Sequence, residues 1–397
     1  NLNVTNVSTA KYSLLLEAND GNPPATEEQL RDAEGSVDAT AMLERAAIIK
    51  LIVDNPAYSL PTGVDNVFEL LADTTLYETY VEEVNANDPA ALEVAILEIL
   101  SDTDLTPGYA VTDIPSVFYS VPAAAPGFMA RGGETLEFDL PYVEGTNNTG
   151  TLLTSNQGNP ISQTFSWILE SGKLIVNFDL PLSFDNFVEI EDTTATVDQI
   201  NLWHDLSYGQ FSSTSTLSSR TYFLISTGSQ TDFVSVEFDS VEVYDTDFVD
   251  PVDAIALGLP LPALVATRVD EEQLWNGDDL IPLPFTADKV IGQWAMNLYY
   301  DNGINLFGEL IGEIVATDLV TFAANGSATA QKSGLNLSWS INGDDELVIV
   351  YDSGMVETIT TLEQKGVLNG FVFDFVDSNG NRFANYNFGI KRDQGFT

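Results

Sequence analysis

The chain has 397 residues, of which 60 are acidic, 14 are basic and none is cysteine, and its formal net charge is −46. Nucleic acid is therefore excluded as a partner, and anionic membrane surfaces are unfavourable, because phosphate binding needs clustered Lys and Arg. The lack of cysteine excludes disulfides, thiolate nucleophiles and Cys-ligated metal centres. No apolar run of about 18 residues is present that could span a bilayer.

An acidic surface of this kind repels itself unless counter-ions screen it, which favours a salty or calcium-containing medium. Together with the absence of cysteine, this charge leads us to expect an exported protein, located outside the cell or at its surface. At 44% hydrophobic residues, the chain has enough apolar surface to offset the entropy lost on folding. Its length predicts two or three domains.

Residues 1–20 contain apolar residues in an alternating pattern, at Leu2, Val4, Tyr12, Leu14 and Leu16. A period of two predicts an extended strand. We hypothesise that this is an assembly strand, which joins copies of the chain by adding to the sheet edge of a neighbouring subunit. Docking of the strand within its own subunit is the alternative.

Residues 21–105 carry helix signals instead. The sequence TEEQ at 26–29 is a capping box, Asp38 can cap the apolar run that follows it, and Asp88 precedes another apolar run. Two further apolar segments lie between these starts. The region therefore predicts a small bundle of four or five short helices.

Short runs of alternating apolar and polar residues, separated by Gly, Asn, Asp and Ser, fill residues 106–250 and predict a first β-rich domain. The proline-rich stretch 251–284 predicts a linker or interdomain segment, and a second β-rich domain fills 285–397. The predicted fold class is α+β, mainly β. An N-terminal strand and a helical bundle are followed by two β-domains resembling sandwiches or barrels.

The two β-rich regions share a local pattern. FSWILESGKLIVNFD at 165–179 and LSWSINGDDELVIVYD at 337–352 each contain a strand with a tryptophan, a polar turn, and a strand that closes on Asp. This repetition predicts that the domains are related by internal duplication. We expect Trp167 and Trp339 to be buried core anchors; if exposed, they could instead stack on sugar rings.

The densest acidic cluster is EVYDTDFVDPVD, which contains Asp245, Asp247, Asp250 and Asp253. Closely spaced carboxylates in a loop suit Ca²⁺, so these four residues are the candidate metal ligands. A solvated acidic turn is the alternative, because no EF-hand loop pattern is present. The sequence indicates no other cofactor.

No complete catalytic set is recognisable. His204 is the single histidine, and no Gly-x-Ser-x-Gly elbow accompanies it, which favours a structural role for this side chain beside Asp205. A pair of carboxylates at the separation needed for glycoside hydrolysis could be formed by many of the acidic residues.

These observations favour an exported structural or interaction protein, a subunit of an extracellular assembly or filament that associates with itself. The alternative is a β module that binds a glycan or a small apolar ligand. A glycoside hydrolase acting through two carboxylates is a third, less favoured hypothesis.

Overall fold

The computed structural model of the protein describes residues 5–102, 104–122, 133–156, 159–189, 196–199, 201, 210–244, 267–304, 310–365 and 368–392. Within these residues the chain forms an N-terminal helical region followed by two closed antiparallel barrels of eight strands each. The predicted fold class, mainly β with a small helical region and two β-domains, is confirmed.

The helical region comprises α1 (Asn6–Ala18), α2 (Glu27–Gly35), α3 (Ala39–Asp54), α4 (Val67–Ala72), α5 (Thr74–Asn87) and α6 (Ala91–Ser101). Thr26 and Asp38 accept hydrogen bonds from the first turns of α2 and α3, as predicted. Asp88 does not cap α6 directly, since the residue before that helix is Ala90. Within the described part of the chain, no helix is long and apolar enough to cross a membrane.

The prediction of an N-terminal strand is wrong, because residues 6–18 form α1. Thr5 caps the helix reciprocally with Ser8. The inward face carries Val7, Ala10 and Leu14, whose helical spacing lets them pack in the core of the helical region. The predicted strand residues Tyr12, Leu14 and Leu16 therefore belong to this helix, whereas Leu2 and Val4 lie outside the described residues.

An arginine on α3 fastens α1 within its own subunit. Arg45 is buried, donates to Ser13 Oγ at 3.1 Å and pairs with Glu17. The segment that we expected to reach a neighbouring subunit is therefore packed against the same chain. This removes the structural basis for strand addition by residues 6–18.

Barrel 1 consists of β1 (Val117–Pro122), β2 (Glu134–Phe138), β3 (Asn148–Asn156), β4 (Asn159–Glu170), β5 (Lys173–Glu189), β6 (Gln210–Thr227), β7 (Thr231–Tyr244) and β8 (Thr267–Asn276). Each strand pairs with the next, and β8 pairs back on β1. Strand β8 lies inside the predicted linker 251–284. Barrel 1 therefore extends beyond the predicted boundary at residue 250.

Barrel 2 consists of β9 (Gly292–Ile304), β10 (Leu310–Phe322), β11 (Ser327–Ala330), β12 (Asn336–Ile341), β13 (Leu347–Tyr351), β14 (Val356–Lys365), β15 (Leu368–Val376) and β16 (Arg382–Arg392). It has the same order, with β16 pairing back on β9. A short helix, α7 (Ala287–Val290), precedes it. Trp294 Nε1 donates to Val290 O at 2.9 Å, so this helix is held at one end of the barrel.

The repeated tryptophans occupy matching positions. Trp167 on the fourth strand of barrel 1 is fully buried, and Trp339 on the fourth strand of barrel 2 is half-buried against the core. Each indole nitrogen donates to a backbone carbonyl at 3.0 Å. Each ring meets a phenylalanine edge to face, Phe138 at 5.1 Å and Phe322 at 5.9 Å between centroids. The predicted anchor role is confirmed for Trp167, and Trp339 has the same packing.

The three parts of the chain are in contact. Glu34 on α2 accepts hydrogen bonds from Ser229 N at 2.8 Å and Ser229 Oγ at 2.6 Å, which joins the helical region to the β6–β7 turn of barrel 1. The barrels meet at an apolar cluster of Trp275, Leu362, Val372 and Tyr386. Beside this cluster, Arg382 of barrel 2 reaches Glu137 of barrel 1 at 2.8 Å.

Candidate functional site

The predicted metal ligands Asp245, Asp247, Asp250 and Asp253 lie outside the described residues, as does His204. Among the residues that the structure does describe, no group of three or more His, Cys, Asp or Glu side chains could hold a metal ion. Trp167 is 0% exposed and so cannot serve as a sugar platform. Within the described part of the chain, the candidate site residues are therefore polar side chains inside the barrels.

Two buried charged residues occupy the same position in the two barrels. In barrel 1, Trp167 pairs across the sheet with Val176, and Val176 pairs with Arg220 on the sixth strand. Arg220 in turn pairs with Phe238 on the seventh strand. Because directly opposed residues point to the same face of a sheet, these side chains form one row.

Barrel 2 repeats the row with one change of charge. Trp339 pairs with Ile349, Ile349 pairs with Glu357 on the sixth strand, and Glu357 pairs with Phe375 on the seventh. Both charged side chains are 0% exposed. The two barrels thus place an arginine and a glutamic acid at equivalent interior positions.

In barrel 1 the charge is neutralised. Arg220 forms a two-point ion pair with the buried carboxylate of Glu134, and its Nη2 lies 2.8 Å from Glu134 Oε1. The guanidinium carbon lies 5.3 Å from the ring centroids of both Phe178 and Phe238. Ring faces attract a cation, so these contacts add to the ion pair. Barrel 1 therefore supplies partners for both Nη atoms of Arg220, whereas Nε has no hydrogen-bond partner among the described residues.

In barrel 2 the carboxyl group of Glu357 is only partly satisfied. The hydroxyl of Tyr351 donates to Glu357 Oε2, and Tyr351 in turn accepts from the backbone N–H of Tyr299 at 3.0 Å. Glu357 Oε1 is buried and has no hydrogen-bond partner among the described residues. A buried polar atom without a partner costs about 1–3 kcal/mol, so this oxygen requires an explanation.

Burial raises the pKa of Glu357 to about 8, although the hydrogen bond from Tyr351 lowers it in part. The side chain is therefore a neutral carboxylic acid at pH 7. Because Oε2 accepts from Tyr351, we place the proton on Oε1. Glu357 then offers a hydrogen-bond donor inside the barrel.

Asp318 in the same barrel provides a contrast. It is also buried, but it accepts from Lys332 N at 2.7 Å, from Ser333 N at 2.9 Å and from Ser333 Oγ at 2.8 Å. Burial raises its pKa, yet these hydrogen bonds outweigh burial and leave the pKa below the ordinary value. Asp318 is a charged group that closes the β11–β12 turn, whereas Glu357 is neutral and incompletely bonded.

Aromatic residues lie beside Glu357 on the neighbouring strands. Its neighbour Phe375 stacks on Phe383 with 4.7 Å between ring centroids, and Tyr299 lies 5.4 Å from Phe383. Glu357 is the second residue of β14, next to the β13–β14 turn. The opposite end of the barrel is occupied by Phe285, which with Trp294 packs on Phe371 at 5.7 and 5.9 Å. Small-ligand sites are typically apolar and aromatic with a few polar groups, and Glu357 with Tyr351 among these rings has that composition.

Sequence reasoning missed both interior charges. Glu357 and Ile359 are two residues apart on β14, and Arg220 and Tyr222 are two apart on β6, so each charged residue shares a face with a buried apolar one. That alternation was the available signal.

No model of a known protein family matches the chain, and a comparison with curated proteins found no match.

Proposed function

We propose that the chain is a binding protein that takes up a small ligand at the Glu357 end of barrel 2. The ligand class is a neutral molecule with an apolar body and one hydrogen-bond acceptor. The observation that carries the proposal is the buried Oε1 of Glu357, which has no partner among the described residues. A ligand acceptor would satisfy it.

The architecture supports this proposal. Closed barrels of eight strands are just wide enough to be filled by side chains or to hold one small ligand, and barrel mouths are frequent ligand sites. In barrel 1 the equivalent position is occupied by the ion pair of Arg220 with Glu134. In barrel 2 no cation pairs with Glu357 among the described residues. We therefore assign ligand binding to barrel 2 and a supporting role to barrel 1.

Of the three functions expected from the sequence, small-ligand binding receives the most support. The version of the filament hypothesis that used strand addition relied on a terminal strand, and residues 6–18 of that segment form a helix. Assembly through other surfaces remains a proposal. Export remains a proposal made from charge and composition, and calcium binding remains a proposal for the aspartates at 245–253.

The test is a fluorescence titration with Nile red, which is uncharged and apolar and carries a carbonyl acceptor. We expect saturable binding of one dye per chain at pH 6. Binding should weaken by about thirtyfold near pH 9.5, because only the protonated fraction of Glu357 can donate. Glu357→Gln keeps a donor of similar size, so it should retain binding but lose the pH dependence.

Two controls complete the test. Asp344→Asn changes a carboxyl group in an exposed turn and should leave the pH profile of the wild type unchanged. Circular dichroism at both pH values checks that each protein is folded. The proposal is overturned if the wild type binds no dye, or if Glu357→Gln and the wild type have the same pH profile.

A further inference from the structure

A second concave site lies between the helical region and the outside of barrel 1. It is a groove of about 400 Å³, within the range of about 300–1,000 Å³ that is usual for small-molecule sites. Leu97 and Leu100 of α6 form one wall, and Phe223 and Val269 of barrel 1 form the other. Leu97 and Val269 are 60% and 52% exposed, so an apolar surface is available to an occupant.

The floor of the groove is fixed by two glycines. Gly108, after the helical region, and Gly172, in the β4–β5 turn, both have positive φ, +66° and +77°. A Cβ built on either would lie 3.1 Å from the Cα of the other, and Tyr109 N donates to Gly172 O at 2.7 Å. Because the backbones at Gly108 and Gly172 are already in contact, this part of the groove is preformed.

Lys173 places a positive charge at the groove. Its ammonium group lies 4.6 Å from the centroid of the Phe223 ring and has no carboxylate within salt-bridge distance among the described residues. By contrast, Lys11 pairs with Glu34 at 3.1 Å and Lys50 with Asp54 at 2.8 Å. Although the chain has 60 acidic residues, none in its described part pairs with this ammonium group, which leaves the group available to an external anion.

The groove also contains one carboxylate, Glu237, which is exposed and forms no ion pair with Lys173. Its charge disfavours ligands with two or more negative charges. A single negative charge joined to an apolar chain matches both the lysine and the apolar walls.

We propose that this groove binds an amphiphile with one carboxylate on a short alkyl chain. The carboxylate pairs with Lys173, and the chain lies between the α6 wall and the Phe223 wall. This site is independent of Glu357 and carries a different ligand chemistry.

The test is isothermal titration calorimetry with octanoate, octylammonium and octyl glucoside, which share a chain and differ in headgroup charge. We expect octanoate to bind best. Lys173→Met keeps the apolar stem of the side chain and should weaken octanoate binding about fivefold, with little change for octyl glucoside. Because Lys173 is exposed, the variant should fold normally.

Lys332→Met is the matched control, since Lys332 is an exposed lysine on the β11–β12 turn of barrel 2, away from the groove. It should bind octanoate as the wild type does. Glu357→Gln should also bind octanoate normally, which separates this site from the barrel site. The proposal is overturned if octanoate does not bind, if Lys173→Met binds it unchanged, or if octylammonium binds more tightly.

Discussion

Arg220 and Glu357 lie at the same place in two barrels of the same strand order, and they carry opposite charges. Each is the cross-strand partner of an aliphatic residue, Val176 or Ile349, that itself pairs with the tryptophan of the fourth strand. The cross-strand neighbours of the two residues are therefore equivalent, but the partners of their charged groups differ. Arg220 has the buried carboxylate of Glu134 as its ion-pair partner and leaves only Nε without a hydrogen-bond partner among the described residues. Glu357 has no cation beside it in that part of the chain, and its Oε1 has no partner there.

Glu357 should make the stability of the chain depend on pH. Its pKa is raised to about 8 in the folded chain, above the ordinary value of 4.5. Between these values the folded state holds a proton that the unfolded state has lost. The stabilisation is therefore present below about pH 4.5 and is lost as the pH rises through about 8. We expect urea denaturation to show this fall, and Glu357→Gln to reduce it by a few kcal/mol.

Asp232, whose pKa burial raises to about 7, contributes a similar fall in both proteins. The difference between the wild type and Glu357→Gln therefore isolates Glu357. Parallel curves of unfolding free energy against pH for the two proteins would contradict the assignment.

Arg220 should be costly to remove alone. Arg220→Met takes away the cation beside the buried Glu134 carboxylate, and we expect a loss of about 3–5 kcal/mol in the free energy of unfolding. Adding Glu134→Gln removes the buried charge as well. The double variant should be more stable than Arg220→Met in urea denaturation. If the two losses simply add, the ion pair does not have the role described.

Gly172 and Gly145 form a matched pair. Both have a φ near +75°, but a Cβ on Gly172 meets Gly108 at 3.1 Å, whereas one on Gly145 has no atom within 4 Å. Alanine should cost about 1–2 kcal/mol at either position through backbone strain. Gly172→Ala should cost about 1 kcal/mol more, because the two backbones must separate. Thermal or urea unfolding measures both, and equal losses would argue against the close contact.

Leu14 and Tyr12 distinguish a helix from a strand at the N-terminus. Leu14 is 9% exposed and Tyr12 is 43% exposed. Leu14→Ala should reduce the free energy of unfolding by about 2–5 kcal/mol, and Tyr12→Ala should change it by less than about 0.5 kcal/mol. A strand would place both side chains on one face, so similar losses for the two variants would contradict α1.

The two tryptophan hairpins could be predicted because their pattern is local. Alternation, a turn with Gly or Asn and a large aromatic residue are all visible within 16 residues of sequence, and both hairpins formed as expected. The α2 and α3 starts were predictable for the same reason, since a capping residue precedes each apolar run.

The predictions were wrong where one stretch fits both a helical and a strand pattern, or where prolines and charged residues obscure the alternation of a strand. In α1, Tyr12, Leu14 and Leu16 alternate, but Val7, Ala10 and Leu14 also have helical spacing, and packing on α3 decides between them. Strand β8 contains three consecutive acidic residues and lies within the proline-rich stretch that predicts a linker. One of them, Glu272, is buried and accepts from Ser120 at 2.5 Å. Such pairing joins residues distant in sequence, so no local pattern reveals it.

The interior charges also bear on how two similar neighbouring barrels fold without exchanging strands. Tandem domains of like sequence misassemble when a strand of one completes the sheet of the other. If β6 took the place of β14, Arg220 would enter barrel 2 beside Tyr351 and away from Glu134. If β14 took the place of β6, Glu134 would face Glu357 in place of its cation. Either exchange buries a charge without its partner, at a cost of about 3–5 kcal/mol. The opposite charges of Arg220 and Glu357 at equivalent positions therefore disfavour the exchange of β6 and β14 between the two barrels.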